Sequence, residues 1–293
     1  MTRLSHTRKA FAISFLLIML GLLGQATAAT TTAQPKPAPD PSAVVASGTP
    51  QSSAPAPTPA PGGSSTAEPA PAPAGPERTE KAFVDPGRTG KTGPAGSLMT
   101  TGSKAVALTF DDGPDPDYTP KLLQLLAKEK VKATFCLVGT QARRHPDLVR
   151  AIAQDGHSFC NHSWNHDLKL GKKPHNAIRE DLERTNAAIR AAVPGAQIRY
   201  MRAPGGNFTP PLVNASTELG MRSIYWKVDP RDWEQPETET DAAHRNKVIR
   251  IVKSNTRAGS IVLSHDYAQP ETVEAYRVLL PWLRKRFELV ALP

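Results

Sequence analysis

The sequence has 293 residues, with 29 prolines, 2 cysteines and a formal net charge of +9. Average usage predicts about 15 prolines at this length, and residues 31–100 alone contain 15 of the 29, so the excess is confined to the first third. This distribution excludes a collagen-like or wholly disordered chain. Two cysteines are too few for a disulfide-rich scaffold. Residues 101–293 are enough to bury the core of one domain.

The positive charge does not indicate a nucleic-acid partner. Residues 101–293 carry 28 Lys and Arg against 22 Asp and Glu, a net charge of +6, and the basic residues are spread along the segment. Blocks of five or six like charges, which are typical of nucleic-acid-binding arms, are missing from the sequence. We therefore predict no nucleic-acid binding and a mild attraction to anionic surfaces such as cell envelopes.

The N-terminus has the order of a secretory signal. Three basic residues precede an apolar run over residues 10–23, and the small residues Ala26-Thr27-Ala28 follow it. Residues 1–29 are therefore predicted to be a signal peptide, and the protein to be secreted or associated with the cell surface or wall. The run is shorter than the roughly 20 residues that cross a membrane, which favours cleavage. An uncleaved membrane anchor is the alternative.

Residues 30–98 are rich in Pro, Ala, Thr, Ser and Gly. Such a segment has too little apolar surface to offset the entropy lost on ordering, and alternating proline favours extended polyproline II. We predict a disordered linker, either a spacer that reaches across a cell wall or a passive solubilising tail. Residues 99–293 are predicted to be the catalytic domain.

Short β-branched runs alternate with helical periodicity after residue 104. The predicted strands cover residues 106–110, 133–138, 158–161, 198–202, 223–228, 260–264 and 287–291. The predicted helices cover residues 120–129, 146–155, 174–193, 210–219, 241–256 and 271–285. This alternation predicts an α/β fold with a parallel sheet. Seven units in fewer than 200 residues, without a Gly-rich phosphate loop, favour a distorted or incomplete (β/α)7-8 barrel.

Ionisable residues follow the first and third predicted strands. Asp111 and Asp112 are adjacent, and like charges this close favour a bound cation or separate roles as ligand and base. An Asp-Asp-Gly sequence alone, however, is more typical of a solvated turn. His162 and His166 are four residues apart, a spacing that suits a divalent metal on one helical turn but is also common among surface histidines.

Three further clusters follow the later strands, beginning at Arg202, Asp229 and Leu263. Each alone has a structural explanation, as a surface cation, a core aromatic residue or a buried histidine. All five clusters, however, fall at the carboxyl ends of predicted strands, where a barrel gathers its catalytic side chains. We therefore predict that they form one cleft.

The ordered motifs resemble those of the polysaccharide deacetylases of carbohydrate esterase family 4, which include chitin and peptidoglycan N-deacetylases and acetylxylan esterases. The resemblance covers residues 103–293 and implies the deformed barrel of that family. The matching motifs are Thr109-Phe110-Asp111-Asp112-Gly113, His162-Ser163-x-x-His166, Arg202-x-Pro204-x-Gly206, Asp229-x-x-Asp232-Trp233 and Leu263-x-His265.

The resemblance implies a metal site and an N-deacetylase activity. Asp112, His162 and His166 would bind a divalent metal, zinc most often, with cobalt or manganese as alternatives. The substrate would be an N-acetylglucosamine polymer, peptidoglycan or chitin. O-deacetylation of xylan and non-catalytic binding of wall glycans are the alternative functions, and we expect a monomer.

The resemblance also implies the roles of the remaining motif residues. Asp111 would be the general base, oriented by Arg202, and His265 the general acid, held by Asp232. The backbone N–H of Gly205 would help to stabilise the oxyanion. Two residues would enclose the acetyl methyl group, Trp233 and Leu263.

Two features stay open from the sequence. Gly205 stands where many relatives carry an aromatic residue, which leaves the preferred sugar and chain length undetermined. Cys136 and Cys160 lie on neighbouring predicted strands, where they form either a disulfide or two buried thiols.

Overall fold

Seven strands form one sheet in the computed structural model, which describes residues 92–293. The predicted signal peptide and residues 30–91 of the predicted linker lie outside the described residues. The strands are β1 Val106–Asp111, β2 Thr134–Leu137, β3 Ser158–Asn161, β4 Ile198–Met201, β5 Arg222–Ser223, β6 Ile261–His265 and β7 Leu289–Val290. Every strand pairing is parallel.

The sheet runs in the order β5-β4-β3-β2-β1-β6, and β7 pairs with the start of β1. Beyond β5, two isolated parallel bridges continue the curvature of the sheet, one from Leu98 to Ile224 and one from Val228 to Val262. The second bridge joins the segment after β5 to β6, at the other end of the sheet order. The predicted incomplete barrel is confirmed.

Seven α-helices cover the outside of this sheet in the described part of the chain. They are α1 Thr119–Lys128, α2 Gly139–Arg144, α3 Pro146–Gln154, α4 His175–Ala192, α5 Pro210–Glu218, α6 Asp241–Asn255 and α7 Pro270–Arg284. Four of them carry proline in the first two positions, where its missing N–H costs nothing. Threonine side chains cap α5 and α6.

Strand β1 shows how the sequence positions the site. All six of its residues are buried, as expected for a parallel strand covered on both faces. Val106, Leu108 and Phe110 belong to the core between sheet and helices, whereas Ala107 belongs to a smaller cluster with Cys136 and Cys160 inside the barrel. Because side chains alternate along a strand, Asp111 shares the inward face at the carboxyl end.

The two cysteines form a disulfide in the structure. Cys136 of β2 and Cys160 of β3 are register partners on these adjacent strands, with Cα atoms 4.1 Å apart. The bridge therefore covalently joins two central strands of the sheet, and it settles the choice between disulfide and thiols.

Two elements differ from the predictions. The predicted strand over residues 223–228 is wrong in extent, because regular pairing stops at Ser223 and the chain then carries Tyr225 and Trp226 stacked face to face, with ring centroids 3.8 Å apart. Helix α2 was not predicted, since a six-residue helix that begins with glycine has no apolar periodicity to detect. The remaining helices begin and end within one or two residues of the prediction.

Residues 92–98, which fall in the predicted linker, lie against the domain. The N–H of Leu98 donates to the carbonyl of Ser223, and the N–H of Tyr225 donates to the carbonyl of Leu98. None of the helices within residues 92–293 is both long enough and apolar enough to span a membrane.

Candidate active site

Three side chains from two strand ends converge as a ligand set. Asp112 follows β1, and His162 and His166 follow β3. The Oδ1 of Asp112 lies 3.3 Å from the Nε2 of His162 and 3.4 Å from the Nε2 of His166. One donor atom from each residue fits within a span of 4.8 Å.

The protonation and burial of these groups fit a bound divalent metal. The Nδ1 of His162 lies 2.9 Å from the carbonyl of Arg202. A carbonyl only accepts, so Nδ1 carries the hydrogen and Nε2 is the ring nitrogen that faces Asp112. The Oδ1 of Asp112 is buried and makes no hydrogen bond within the described residues. Burying such an atom is costly without a partner, and a cation between the two imidazoles would supply one.

The backbone at this ligand set is strained. Asp112, Ser163 and His166 have φ of 76°, 64° and 58°, in the left-handed region that non-glycine residues seldom adopt. Each such residue costs of order 1–3 kcal/mol and persists where surrounding contacts fix it. Three of the seven such non-glycine residues in the described part of the chain therefore lie in the two segments that supply the ligands.

Gly113 leaves room for the buried carboxyl of Asp266 beside Asp111 and Asp112. A Cβ at Gly113 would lie 2.5 Å from the Oδ1 of Asp266, so a larger residue would collide with that carboxyl. Burial raises the pKa of Asp266 to about 7. The N–H of Asp266 also donates to the carbonyl of Asp111 at 3.3 Å, which ties the end of β6 to the end of β1.

Asp111 is paired with a buried arginine. The Nη1 of Arg202 donates to the Oδ1 of Asp111 at 2.7 Å and to the Oγ1 of Thr109 at 2.8 Å. Its Nη2 donates to the carbonyl of Tyr225 at 3.0 Å. The guanidinium therefore spans the barrel interior from β1 to the segment after β5. This arrangement places a positive charge against the Asp111 carboxylate and fixes its orientation.

His265 is paired with a buried aspartate. The Nδ1 of His265 donates to the Oδ1 of Asp232 at 2.9 Å, and the Oδ2 of Asp232 accepts from the backbone N–H of His265 and from the hydroxyl of Thr272, both at 2.8 Å. Burial favours the neutral ring, but attraction to Asp232, reinforced by Asp111 and Asp112, raises the pKa of His265 to about 10. The ring is therefore protonated at neutral pH, with Nε2 available to a substrate.

These groups line one cavity of about 330 Å³. Every predicted site residue lines it except Arg202 and Asp232, which lie behind Asp111 and His265 as their partners. Trp233 is 48% exposed at its edge, whereas Leu263 is buried. The full lining is Asp111, Asp112, His162, His166, Leu168, Ala203, Gly205, Gly206, Trp226, Asp229, Trp233, Leu263 and His265.

Sequence reasoning missed three contributors to the site. Trp226 was assigned to the interior of a strand, and its ring lies at the cavity wall. Leu168, two residues after His166, is 53% exposed and lines the same cavity. Its apolar character in a polar loop was a usable signal. Thr272, from α7, offered none, because only the fold brings its hydroxyl to Asp232.

An Asp-His-His group that could hold a metal ion, with a buried carboxylate–arginine pair and a buried imidazole–carboxylate pair beside it at the carboxyl ends of barrel strands, is typical of metal-dependent hydrolases. Residues 99–224 match the family model for polysaccharide deacetylase.

Similar proteins agree with that match. The chain is 36% identical over 206 residues to a chitooligosaccharide deacetylase of Sinorhizobium fredii, covering 66% of this chain and 92% of the relative. It is 34% identical over 187 residues to a peptidoglycan-N-acetylglucosamine deacetylase of Bacillus cereus, covering 62% and 83%. A crystal structure of a peptidoglycan N-acetylglucosamine deacetylase superposes with a TM-score of 0.59 at 31% identity, covering 65% of this chain and 87% of the other. The chain belongs to the polysaccharide deacetylase family, which confirms the resemblance drawn from the five motifs.

Proposed function

We propose that the chain removes N-acetyl groups from polysaccharides that contain N-acetylglucosamine, namely peptidoglycan or chitin-derived oligosaccharides. One observation carries the proposal: a single cavity holds an Asp-His-His ligand set between a buried carboxylate and a buried imidazole, each paired with the opposite charge. The names of the two curated relatives support the same substrate class.

The metal site is assigned to Asp112, His162 and His166. Two imidazoles and one carboxylate favour zinc, with cobalt and manganese as alternatives. When bound there, the metal would polarise the acetyl carbonyl and lower the pKa of a water molecule.

Asp111 acts as the general base and accepts the proton of the attacking water. Its pairing with Arg202 occupies Oδ1 and leaves Oδ2, which lies 3.6 Å from the Nε2 of His162, beside the ligand set. Placing the base next to the ligands explains the tandem Asp111-Asp112, because one carboxylate binds while the other takes the proton.

His265 acts as the general acid. Breaking the C–N bond of an acetamide requires a proton on the departing nitrogen, since an amide anion is a poor leaving group. Asp232 supplies the charge that holds this proton on the ring at neutral pH. The base and the acid are therefore each paired with the opposite charge, Asp111 with Arg202 and His265 with Asp232.

Leu263 and Trp233 provide the apolar surface for the acetyl methyl group, and the backbone N–H of Gly205 serves the carbonyl oxygen. The buried Leu263 and the half-exposed Trp233 both line the cavity. Backbone donors aimed at a developing oxyanion are an efficient means of stabilising it.

The test is acetate release from a panel of glycans by the purified full chain supplied with zinc. We expect acetate from peptidoglycan or N-acetylchitooligosaccharides, and none from the Asp111→Asn variant. Release from acetylated xylan alone would instead identify an O-acetyl esterase. Glycan binding without acetate release from any substrate would identify a non-catalytic wall-binding protein.

We also propose that the protein is exported, on the basis of the signal-like residues 1–29. The N-terminal sequence of the mature protein, determined by mass spectrometry of the culture medium and of the cell envelope, tests this. Cleavage after Ala28 is expected, and an intact N-terminus in the cytoplasmic fraction would contradict it.

A further inference from the structure

A second cavity of about 430 Å³ adjoins the catalytic one. Leu168 lines both, so this exposed side chain forms the rim between them. The second cavity is bounded by the loop that follows His166 and by the loop that follows Gly206. Its lining consists of Leu168, Lys169, Gly171, Lys172, Asn207, Phe208 and Thr209.

The two loops are fixed to each other. The hydroxyl of Thr209 donates to the carbonyl of Gly171 at 2.8 Å, and the amide of Asn207 donates to the carbonyl of Leu168 at 3.2 Å. A Cβ at Gly171 would lie 2.5 Å from the Oγ1 of Thr209, so glycine permits this close approach. The loop is therefore held in a defined position directly after the metal ligand His166.

The charge of this cavity is positive. Three lysines follow His166 within seven residues, and one of them, Lys173, pairs with Asp167 at 2.6 Å. Neither Lys169 nor Lys172 forms an ion pair within residues 92–293, and both are exposed. The cavity lining contains no acidic residue. Two lysines that form no ion pair among the described residues thus line the cavity.

We infer that this cavity binds carboxylate groups carried by the sugars next to the one being deacetylated. The inference rests on the proposed function and narrows its substrate class to an anionic glycan. Peptidoglycan carries carboxylates on alternate sugars, from the stem peptide or, where that peptide is missing, from the lactyl group, whereas chitin-derived oligosaccharides carry none. A glycan chain that enters the catalytic cavity and crosses Leu168 brings such a substituent to Lys169 and Lys172. The half-buried ring of Phe208 offers an apolar surface for one face of a sugar.

The experiment measures the dissociation constants of two probes of equal length. One is a four-sugar peptidoglycan fragment that retains its stem peptides, and the other is N-acetylchitotetraose. The test variant is Lys169→Gln/Lys172→Gln. The matched control is Lys104→Gln/Lys285→Gln, which removes the same charge from exposed lysines outside the cavity lining.

We expect the test variant to bind the peptidoglycan fragment about five-fold more weakly at low ionic strength, as two exposed ion pairs would allow. The loss should disappear at high salt. Binding of N-acetylchitotetraose should be unchanged, and the control variant should bind both probes normally. Equal losses on both probes, an equal loss in the control variant or no loss at all would overturn the inference.

Acetate release by the same variants separates this inference from the proposed function. If the wild-type chain releases no acetate from either probe, the proposed function fails, whereas the difference in binding still decides whether the cavity selects carboxylates. If acetate is released from both probes with no dependence on Lys169 and Lys172, the inference fails alone.

Discussion

Arg202 and Asp111 form a buried ion pair at 2.7 Å, with side-chain exposures of 0% and 3%. Removing one partner of such a pair leaves an uncompensated buried charge, which is far more costly than removing both. The pair therefore serves two separable purposes, the stability of the barrel interior and the orientation of the Asp111 carboxylate.

We expect Arg202→Met to lower the free energy of unfolding by about 3–5 kcal/mol, because Asp111 is left buried and charged. The double variant Arg202→Met/Asp111→Asn should recover much of that loss without recovering activity. Chemical denaturation gives the first quantity and acetate release the second. Equal stabilities of the single and double variants would contradict this account of the pair.

Arg202→Lys tests the geometry of the same pair. A lysine ammonium cannot reproduce a planar fork that reaches Asp111, Thr109 and the carbonyl of Tyr225 together. We expect kcat to fall on the order of 10²-fold. Arg199→Lys, at the exposed position of β4, is the matched control and should retain full activity.

The dependence of activity on pH tests the pairing of His265 with Asp232. A general acid must be protonated, so kcat is lost as pH rises through its pKa, which Asp232 helps to raise to about 10. Asp232→Asn removes that attraction and lowers the pKa of His265. The alkaline limb of the kcat profile should therefore move to lower pH by at least about one unit. An unchanged limb in Asp232→Asn would exclude His265 as the acid, and Glu237→Gln, at an exposed site, should leave the profile unaltered.

Metal binding can be measured without turnover. Loss of a residue that only hydrogen-bonds to a metal ligand typically weakens metal affinity about 10- to 100-fold. We expect His162→Ala and His166→Ala, which remove ligands themselves, each to weaken zinc affinity by at least that much. His175→Ala removes an exposed histidine whose partner is Glu218 and should bind zinc like the wild type. Isothermal titration calorimetry provides both affinity and stoichiometry. Loss of zinc binding in His175→Ala alone would place the site elsewhere.

Gly205→Ala should destabilise the domain and disturb the cavity rim. Gly205 has a φ of 60°, and an added Cβ would lie 2.9 Å from Leu168. We expect a loss of about 1–2 kcal/mol from the backbone conformation, together with reduced activity because Leu168 is displaced. Gly195→Ala, at a φ of 79° with nothing within 4 Å of its Cβ, should show the backbone cost alone. If both variants lose activity equally, the contact with Leu168 has no role.

His157 makes stability depend on pH. Its side chain is 7% exposed, and burial, with a contribution from Lys132, lowers its pKa from 6.5 to about 4. The unfolded chain then binds a proton that the folded chain excludes, so stability is lost as pH falls from about 6.5 towards 4. A shift of this size corresponds to on the order of 3 kcal/mol.

Urea denaturation of chelator-treated protein at neutral and acidic pH, compared between the wild type and His157→Gln, checks this expectation. His157→Gln should show a smaller loss between the two pH values, and His175→Gln, on the surface, should behave like the wild type. Identical pH dependence in all three proteins would contradict it.

The sequence predicted the strands and their carboxyl ends well because buried parallel strands are short runs of β-branched and aromatic residues. It failed at the fifth strand, where the run over residues 223–228 has strand composition. There the side chain of Arg202 donates a hydrogen bond to the carbonyl of Tyr225, and the chain leaves the sheet. That interaction joins residues far apart in sequence, and no local pattern encodes it.

The candidate site was predictable to the extent that it follows strand ends. Its three ligands and two charge pairs were expected from motif spacing and the family resemblance. Three other contributions were not expected, because each depends on packing between separate loops or helices. They are the hydrogen bond from Thr272, the cavity wall at Trp226 and the rim formed by Leu168. The replacement of an aromatic residue by Gly205 was visible in sequence, but only the structure shows Leu168 against it.

The exposed Leu168 also bears on inhibitor selectivity. The two cavities on either side of it, about 330 Å³ and 430 Å³, each fall within the size range of small-molecule pockets. A compound with a metal-chelating head in the first and a carboxylate-bearing arm reaching the second would contact Leu168 at its midpoint. Such a molecule would discriminate this enzyme from relatives whose rim is built from a different side chain, and that selectivity would not depend on the shared metal ligands.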